Sequence, residues 1–261
     1  MIRQLKNIPG LRQVGRWYVN KFMEGTVTPI RSGYAKDMLW IRRRRYINSM
    51  WVGDYEEPMQ QAIASLLRPG CTFYDIGANA GFFSLMALKC IGPTGKVVSV
   101  DPDRANQEHM QELKKLNKLD NWELVQCGVD GQIGKLVFEY HFEGDSGGRL
   151  AGRQRFEGDN PTHKHQYEVA TTTFDALFER CGKPDVIKLD IEGSEYEAFK
   201  TGAEEMMSKH RPSLIMELHG IDRAKFVQSR LAEHRYELQT LAGASAHFEH
   251  NSIFHAVAIP K

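Results

Sequence analysis

The sequence predicts an α/β fold: a doubly wound sheet, mostly parallel, finished by an antiparallel C-terminal hairpin strand. Three observations lead there. From residue 57, short apolar runs of strand length alternate with segments of helical periodicity, the pattern of parallel strands joined by crossovers. The first strand-to-helix turn is rich in glycine, and later strands end on acids, as at the ligand-binding carboxyl edge of such a sheet. The chain has 261 residues, 41% hydrophobic and 26% charged, which suits one large globular domain or two small ones.

Each element follows from its own residues. Glu57 to Leu67 puts Met59, Ala62, Ile63 and Leu66 on one helical face and stops at Pro69-Gly70. Cys71 to Ile76 reads as the first strand, and Phe82 to Ile91 as an apolar helix ended by Gly92-Pro93. Lys96 to Val100 is the second strand, closed by Asp101; a polar helix runs from Asp103 to Leu119, and Trp122 to Cys127 is the third strand. Residues 131–172 interrupt the rhythm as an inserted hairpin and loop, with Lys135 to Phe142 and Gln166 to Thr172 as its arms. A helix from Thr173 to Cys181 and a strand from Asp185 to Leu189 follow. Ser194 with Glu197 then opens a helix in a capping-box pattern. Ser213 to Leu218, a helix from Asp222 to Arg235, and an edge pair, Tyr236 to Leu241 with Ser252 to Ile259, complete the fold.

Composition narrows the function. The net charge of +1 conceals a split: residues 1–50 carry 11 basic and 2 acidic residues, and the remainder 23 and 31. Residues 1–50 are therefore read as a basic extension, whose Arg42 to Arg45 are either solvated or guide an acidic acceptor or an anionic membrane surface. With no apolar run of about 18 residues and no signal-peptide core, a cytoplasmic protein without a transmembrane segment is expected. Cys71, Cys90, Cys127 and Cys181 are widely spaced, with no C-x-x-C pair, and read as small buried hydrophobes. His163 and His165 read as solvated loop residues.

The chemistry concentrates at three strand ends. In Asp75-Ile76-Gly77-Ala78-Asn79-Ala80-Gly81 a dinucleotide fingerprint would need glycine at 77, 79 and 82, where the chain has Gly77, Asn79 and Phe82. Asp75 would repel a pyrophosphate but suits a ligand with a cationic head, such as S-adenosylmethionine. Asp101, 24 residues after Gly77, stands where an acid can accept ribose hydroxyls. Asp130, ending the stretch from Gln126, lies where adenine should rest. Lys188, two residues from Asp190, shares its face and should compensate its charge. Asp190, Glu192, Glu217 and His219 close the fourth and fifth strands around the same crevice.

WVGDYE at 51–56, DIGANAGFFS at 75–84, VSVDPD at 98–103, TTTFDAL at 171–177, KLDIEGSEYEAFKTGA at 188–203 and PSLIMELHG at 212–220 together resemble the FkbM family of S-adenosylmethionine-dependent methyltransferases. The resemblance implies a class I methyltransferase (Rossmann-like) domain over 51–261 with S-adenosylmethionine as cofactor. It also implies O-methylation of a hydroxyl on a sugar, glycan or natural-product acceptor. It assigns Asp75, Gly77, Asn79 and Gly81 to the cofactor loop and Asp101 to the ribose, where glutamate is common in the family. In this reading His219 is the general base, with Asp190, Glu217 and Glu192 as alternative bases or orienting groups. No metal is expected, although Asp190, Glu192 and Glu217 form an oxygen set that Mg²⁺ would accept.

Two other readings compete. An RNA-directed methyltransferase would use the basic opening, with Trp40, Tyr46 and Trp51 as stacking surfaces. A non-catalytic domain would keep the fold for binding cofactor or a partner. The identity of the acceptor is expected to be set by the extension, Tyr55-Glu56 and the 144–166 loop.

Overall fold

The computed structural model describes residues 23–140, 147–153, 165–246, 248 and 253–261. Its centre is a seven-stranded sheet whose apolar runs are long enough to be covered on both faces. The strands are β3 (Thr72–Ile76), β4 (Lys96–Val100), β5 (Trp122–Val125), β10 (Val186–Leu189), β11 (Ser213–His219), β12 (Tyr236–Gln239) and β13 (Ile253–Pro260), in spatial order β12-β13-β11-β10-β3-β4-β5. From β11 to β5 all pairs are parallel, while β13 runs antiparallel between β11 and β12. The predicted mostly parallel sheet with an antiparallel C-terminal hairpin is therefore the one observed. Strand order reverses at β3, which lies between β4 and β10, and a crevice opens there at the carboxyl ends.

Alternation along the strands sends side chains into two cores. Phe73, Val97, Val186 and Ile215 enter one, and Tyr74, Val98, Ile187 and Leu214 the other. Helices cover both faces: α1 (Asn48–Val52), α2 (Glu57–Leu66), α3 (Phe82–Ile91), α4 (Arg104–Asn117), α5 (Phe174–Cys181), α6 (Glu195–Thr201) and α7 (Ile221–Glu233), with a π-helical turn at Met206–His210. Helix α3 is apolar nearly all round, and only Lys89 and Cys90 escape burial. The Asp103 carboxylate caps α4 by accepting from the amides of Ala105 and Asn106. Ser194 departs from expectation: its hydroxyl makes no cap bond at α6, because the residue is already in a helical conformation (φ −80°, ψ −5°).

The described part of the N-terminal segment packs on the domain. Its strands β1 (Val27–Pro29) and β2 (Leu39–Ile41) form an antiparallel ribbon, and Ile30, Trp40, Ile41, Tyr46 and Met50 enter the core that contains Phe82 and Met110. The boundary drawn at residue 50 thus falls within continuous packing over residues 23–50. Arg42 and Arg45 are not solvated as one reading held: Arg42 stacks 3.9 Å over the Trp51 ring, and Arg45 reaches Asp103 at 3.1 Å. Apolar neighbours around Trp40, Tyr46 and Trp51 make stable seats for guanidinium groups.

The insertion forms a second sheet, β6-β9-β7-β8, from β6 (Gly128–Val129), β7 (Gly134–Tyr140), β8 (Arg149–Leu150) and β9 (His165–Thr172). Strands β7 and β9 pair antiparallel from Gly134 opposite Thr171 to Tyr140 opposite His165, the hairpin expected. The histidine pair divides: His165 stacks on Tyr140 at 5.1 Å, while His163 lies outside the described residues. Among the described residues, no helix is long and apolar enough to cross a membrane.

Candidate active site

At the carboxyl ends of β3, β4, β10 and β11 lies a cleft of about 1080 Å³ including its mouth, roofed by Phe138, Arg149 and Leu150 of the inserted sheet. Tyr55, Glu56, Gly77, Asn79, Asp101, Asn106, Cys127, Val129, Lys188, Asp190, Glu192 and Glu217 contribute to its walls.

The turn after β3 is shaped by close backbone approach. Gly77 has φ +77°, and a Cβ there would penetrate the Asp190 carbonyl oxygen and lie 2.8 Å from its carbon. The Gly77 and Ala78 amides donate to the Val100 carbonyl at 2.9 and 3.1 Å. Asn79, at φ +49°, donates its amide to Asp101 Oδ2 at 2.7 Å. Asp101 Oδ1 accepts from the Asp103 amide at 2.9 Å and from Asn106 Nδ2 at 3.1 Å. Burial raises the Asp101 pKa to about 7 despite the hydrogen bonds that favour its charged form.

Beneath this turn, Lys188 is almost fully buried. Its Nζ donates to the Gly77 carbonyl at 2.9 Å and lies 3.4 Å from Asp190 Oδ2 and 3.7 Å from Asp75 Oδ1. Burial opposes its charge, but Asp190 and Asp75 more than offset that and hold its pKa above the usual lysine range. The compensation expected between Lys188 and Asp190 is present. Asp190 is raised to about 6, burial outweighing the attraction of Lys188.

The strand ends of β10 and β11 meet around an imidazole. His219 is 0% exposed; its Nδ1 lies 3.0 Å from Glu195 Oε1, itself fully buried. Its Nε2 points between Glu217 Oε1 at 3.3 Å and Glu192 Oε2 at 3.4 Å, without an aligned hydrogen bond to either. Burial disfavours the charged ring, but Glu195 first, then Glu217 and Glu192, raise its pKa to about 11. Glu217 accepts on its other oxygen from His255 Nε2 at 3.0 Å. Burial would raise the Glu217 carboxyl, yet the two histidines bring it well below the usual range.

The structure brings Gly77, Asn79, Asp101, Asp190, Glu192 and Glu217 to the cleft wall, and corrects the other assignments. Asp75 does not face a ligand: it is 0% exposed and turned inward to Ser84 Oγ at 2.6 Å and to Lys188. Gly81 stands behind the wall, where a Cβ would lie 2.8 Å from Met110 Cγ, so it serves helix packing. Asp130 gives both carboxylate oxygens to Arg153, at 2.9 and 2.8 Å, while Cys127, Gly128 and Val129 form the wall instead. His219 also lies behind the wall, enclosed by Glu195, Glu217 and Glu192.

Tyr55 and Glu56 line the cleft. Sequence reasoning missed the roof, because β8 is two residues long and leaves no periodicity to detect. It also missed Glu195, which stands in the first turn of α6 and meets His219 only through the pairing of β10 with β11.

Residues 75–247 match the family described as Methyltransferase FkbM domain. Among solved structures, a Methyltransferase FkbM from Methylobacillus flagellatus KT is 16% identical, with a TM-score of 0.48, over 95% of this chain and 59% of that one. This chain therefore spans less than two thirds of that relative's length. A precorrin-6y C5,15-methyltransferase from Geobacter metallireducens GS-15 is 14% identical, with a TM-score of 0.47, over 79% and 87%. Fibrillarin from Aeropyrum pernix, solved with natively bound S-adenosyl-L-methionine, is 10% identical, with a TM-score of 0.45, over 76% and 73%. No curated protein matches the sequence.

Proposed function

Because the chain belongs to the FkbM methyltransferase family, we propose that it transfers a methyl group from S-adenosylmethionine to a hydroxyl oxygen of a sugar, glycan or natural-product acceptor. The observation that carries this reading is the convergence of Asp190, Glu192 and Glu217 on the cleft that the Gly77 turn and Asp101 also line.

The residues present fit the cofactor. The side-chain-free turn at Gly77 leaves backbone open to close approach, Asp101 borders the cleft with acceptor capacity for ribose hydroxyls, and Val129, Phe138 and Leu150 offer apolar surface to a purine. S-adenosylmethionine, when bound, supplies an activated methyl group on a sulfonium. The chain's own task is to align an acceptor oxygen, exclude water and accept a proton. Asp190 takes the base role expected of His219: its Oδ1 is buried at the wall with no hydrogen-bond partner among the described residues. His219, pinned by Glu195, fixes Glu217 and Glu192 from behind. An RNA acceptor loses support, since Arg42 and Arg45 are committed to Trp51 and Asp103.

Incubation with methyl-tritiated S-adenosylmethionine and a panel of glycosides, oligosaccharides and hydroxylated polyketides should give an O-methylated product, located by mass spectrometry. Asp190→Asn should lower kcat about 10²- to 10⁴-fold while changing cofactor Kd less than about threefold. Transfer only to amines or RNA would overturn the acceptor class, and absence of cofactor binding by calorimetry would overturn the reading itself.

The Asp101 carboxyl, raised to about 7, gives cofactor binding a pH dependence. Hydroxyl groups are better donors to a carboxylate than to a carboxylic acid, so affinity should climb between about pH 6 and 8. Asp101→Asn should cost roughly tenfold to a hundredfold in Kd at pH 8 and flatten the profile. An equally steep profile in that variant would assign the titration to another group.

A further inference from the structure

We propose that Asp190, Glu192 and His219 form a binding site for one divalent cation of the Mn²⁺ class, with Glu217 at its edge, on the wall of the cleft. The site goes beyond methyl transfer and stands on its own geometry.

One ligand atom from each of Asp190, Glu192 and His219 lies within 4.8 Å of the others. Acidic clusters alone are common at protein surfaces, and the imidazole sets this one apart. His219 is 0% exposed, and its Nε2 has no hydrogen-bond partner among the described residues although it is aimed into the carboxylates. Its other nitrogen is held at 3.0 Å by the fully buried Glu195. A carboxylate behind a histidine holds the proton on Nδ1, so a cation arriving among the carboxylates would displace the Nε2 proton and take up that lone pair, the arrangement that supports histidine ligands in metal sites.

The spacing fits one ion. Donors about 2.2 Å from a cation at right angles stand about 3.1 Å apart, and Nε2 lies 3.3 Å from Glu217 Oε1 and 3.4 Å from Glu192 Oε2. The backbone holds Glu192 in the left-handed region at φ +51°, which a non-glycine residue adopts at a cost. Three carboxylates with one imidazole suit Mn²⁺ better than Mg²⁺, which prefers an oxygen shell. Asp190, Glu192 and Glu217 border the cleft whereas His219 lies behind it, so the ion would keep an open side toward an acceptor. There it would act as a Lewis acid on a hydroxyl oxygen and favour loss of its proton.

The test uses the full, tag-free chain, stripped with EDTA and titrated with MnCl₂ without cofactor or acceptor, so that its failure is separate from any failure of the methyl-transfer reading. Free Mn²⁺ counted by electron paramagnetic resonance should show one ion bound per chain. Spin-echo modulation should show coupling to one imidazole ¹⁴N. His219→Ala should abolish that coupling and weaken binding at least about tenfold, whereas His255→Ala should retain it. Glu195→Gln, which keeps the shape behind the ring, should weaken binding about 10- to 100-fold with the circular dichroism spectrum unchanged. No saturable binding below about 1 mM, binding without ¹⁴N coupling, or coupling that survives His219→Ala would each overturn the proposal.

Discussion

Replacing Gly77 with alanine should lower the stability of the protein by about 3 to 4 kcal/mol, one of the largest losses available to a single methyl group. Two effects add at this position. At φ +77° an L-residue pays about 1 to 2 kcal/mol for the contact between its own Cβ and carbonyl. The new methyl would also intrude on the Asp190 carbonyl oxygen, a backbone atom that cannot rotate aside, so the turns after β3 and β10 must separate. Gly152 separates the two effects. It has the same φ of +77°, but a Cβ there would meet nothing within 4 Å among the described residues, so Gly152→Ala should cost only the conformational share. Urea denaturation of both variants measures the difference, read from the midpoint at constant m. Equal losses would mean that the Gly77 and Asp190 turns do not depend on close contact. Because the Gly77 carbonyl also receives the Lys188 ammonium, separation should reach the cleft and weaken cofactor binding in Gly77→Ala but not in Gly152→Ala.

The sheet was legible because its strands are unbroken apolar runs and its helices are amphipathic: Lys96–Val100 and Phe82–Ile91 begin and end where hydropathy and the flanking glycines put them. The strand-end carboxylates were legible for a related reason, since topology alone sends Asp101, Asp190 and Glu217 to one edge. What sequence could not resolve was which way each polar group turns. Asp75 and Asp190 both lie near the ends of neighbouring strands, but Asp75 stands opposite Lys188 inside the sheet, drawn inward by Ser84 and Lys188, while Asp190 lies two positions further out and reaches the cleft. Asp130 is turned away from the cleft by Arg153, which lies between the arms of the inserted hairpin, 23 residues further along the chain, where no local pattern marks the pairing. His219 looked like a base on account of an ordinary imidazole pKa. Its three glutamate neighbours come from β11 itself and from the turn and helix after β10, so only the parallel pairing of β10 with β11 reveals them.

Lys188→Met should destabilise the fold by about 3 to 5 kcal/mol at pH 7, the cost of leaving buried carboxylates without their cation. Lys188 is 4% exposed and Asp75 0%, so water cannot replace the lost partner. The Gly77 carbonyl loses its donor in the same substitution. Asp75→Asn alone should also destabilise, because it leaves the ammonium with less compensation. The double variant Lys188→Met/Asp75→Asn should recover about half of the summed losses, since it removes both charges of the buried pair. Additive losses in this cycle would show that the pair is not coupled and that the lysine acts through packing alone. The pH dependence provides a second reading. Burial already raises the Asp75 carboxyl above its ordinary value, with Lys188 the leading opposing influence. Without that lysine the folded-state pKa rises further. A carboxyl raised in the folded state costs stability in full above that pKa and costs nothing below its unfolded value, so the deficit of Lys188→Met should shrink as pH falls from 7 toward 4. In the double variant, which lacks the Asp75 carboxyl, that shrinkage should be largely absent. Persistence of the full slope there would transfer the titration to Asp190, the other carboxylate beside the ammonium.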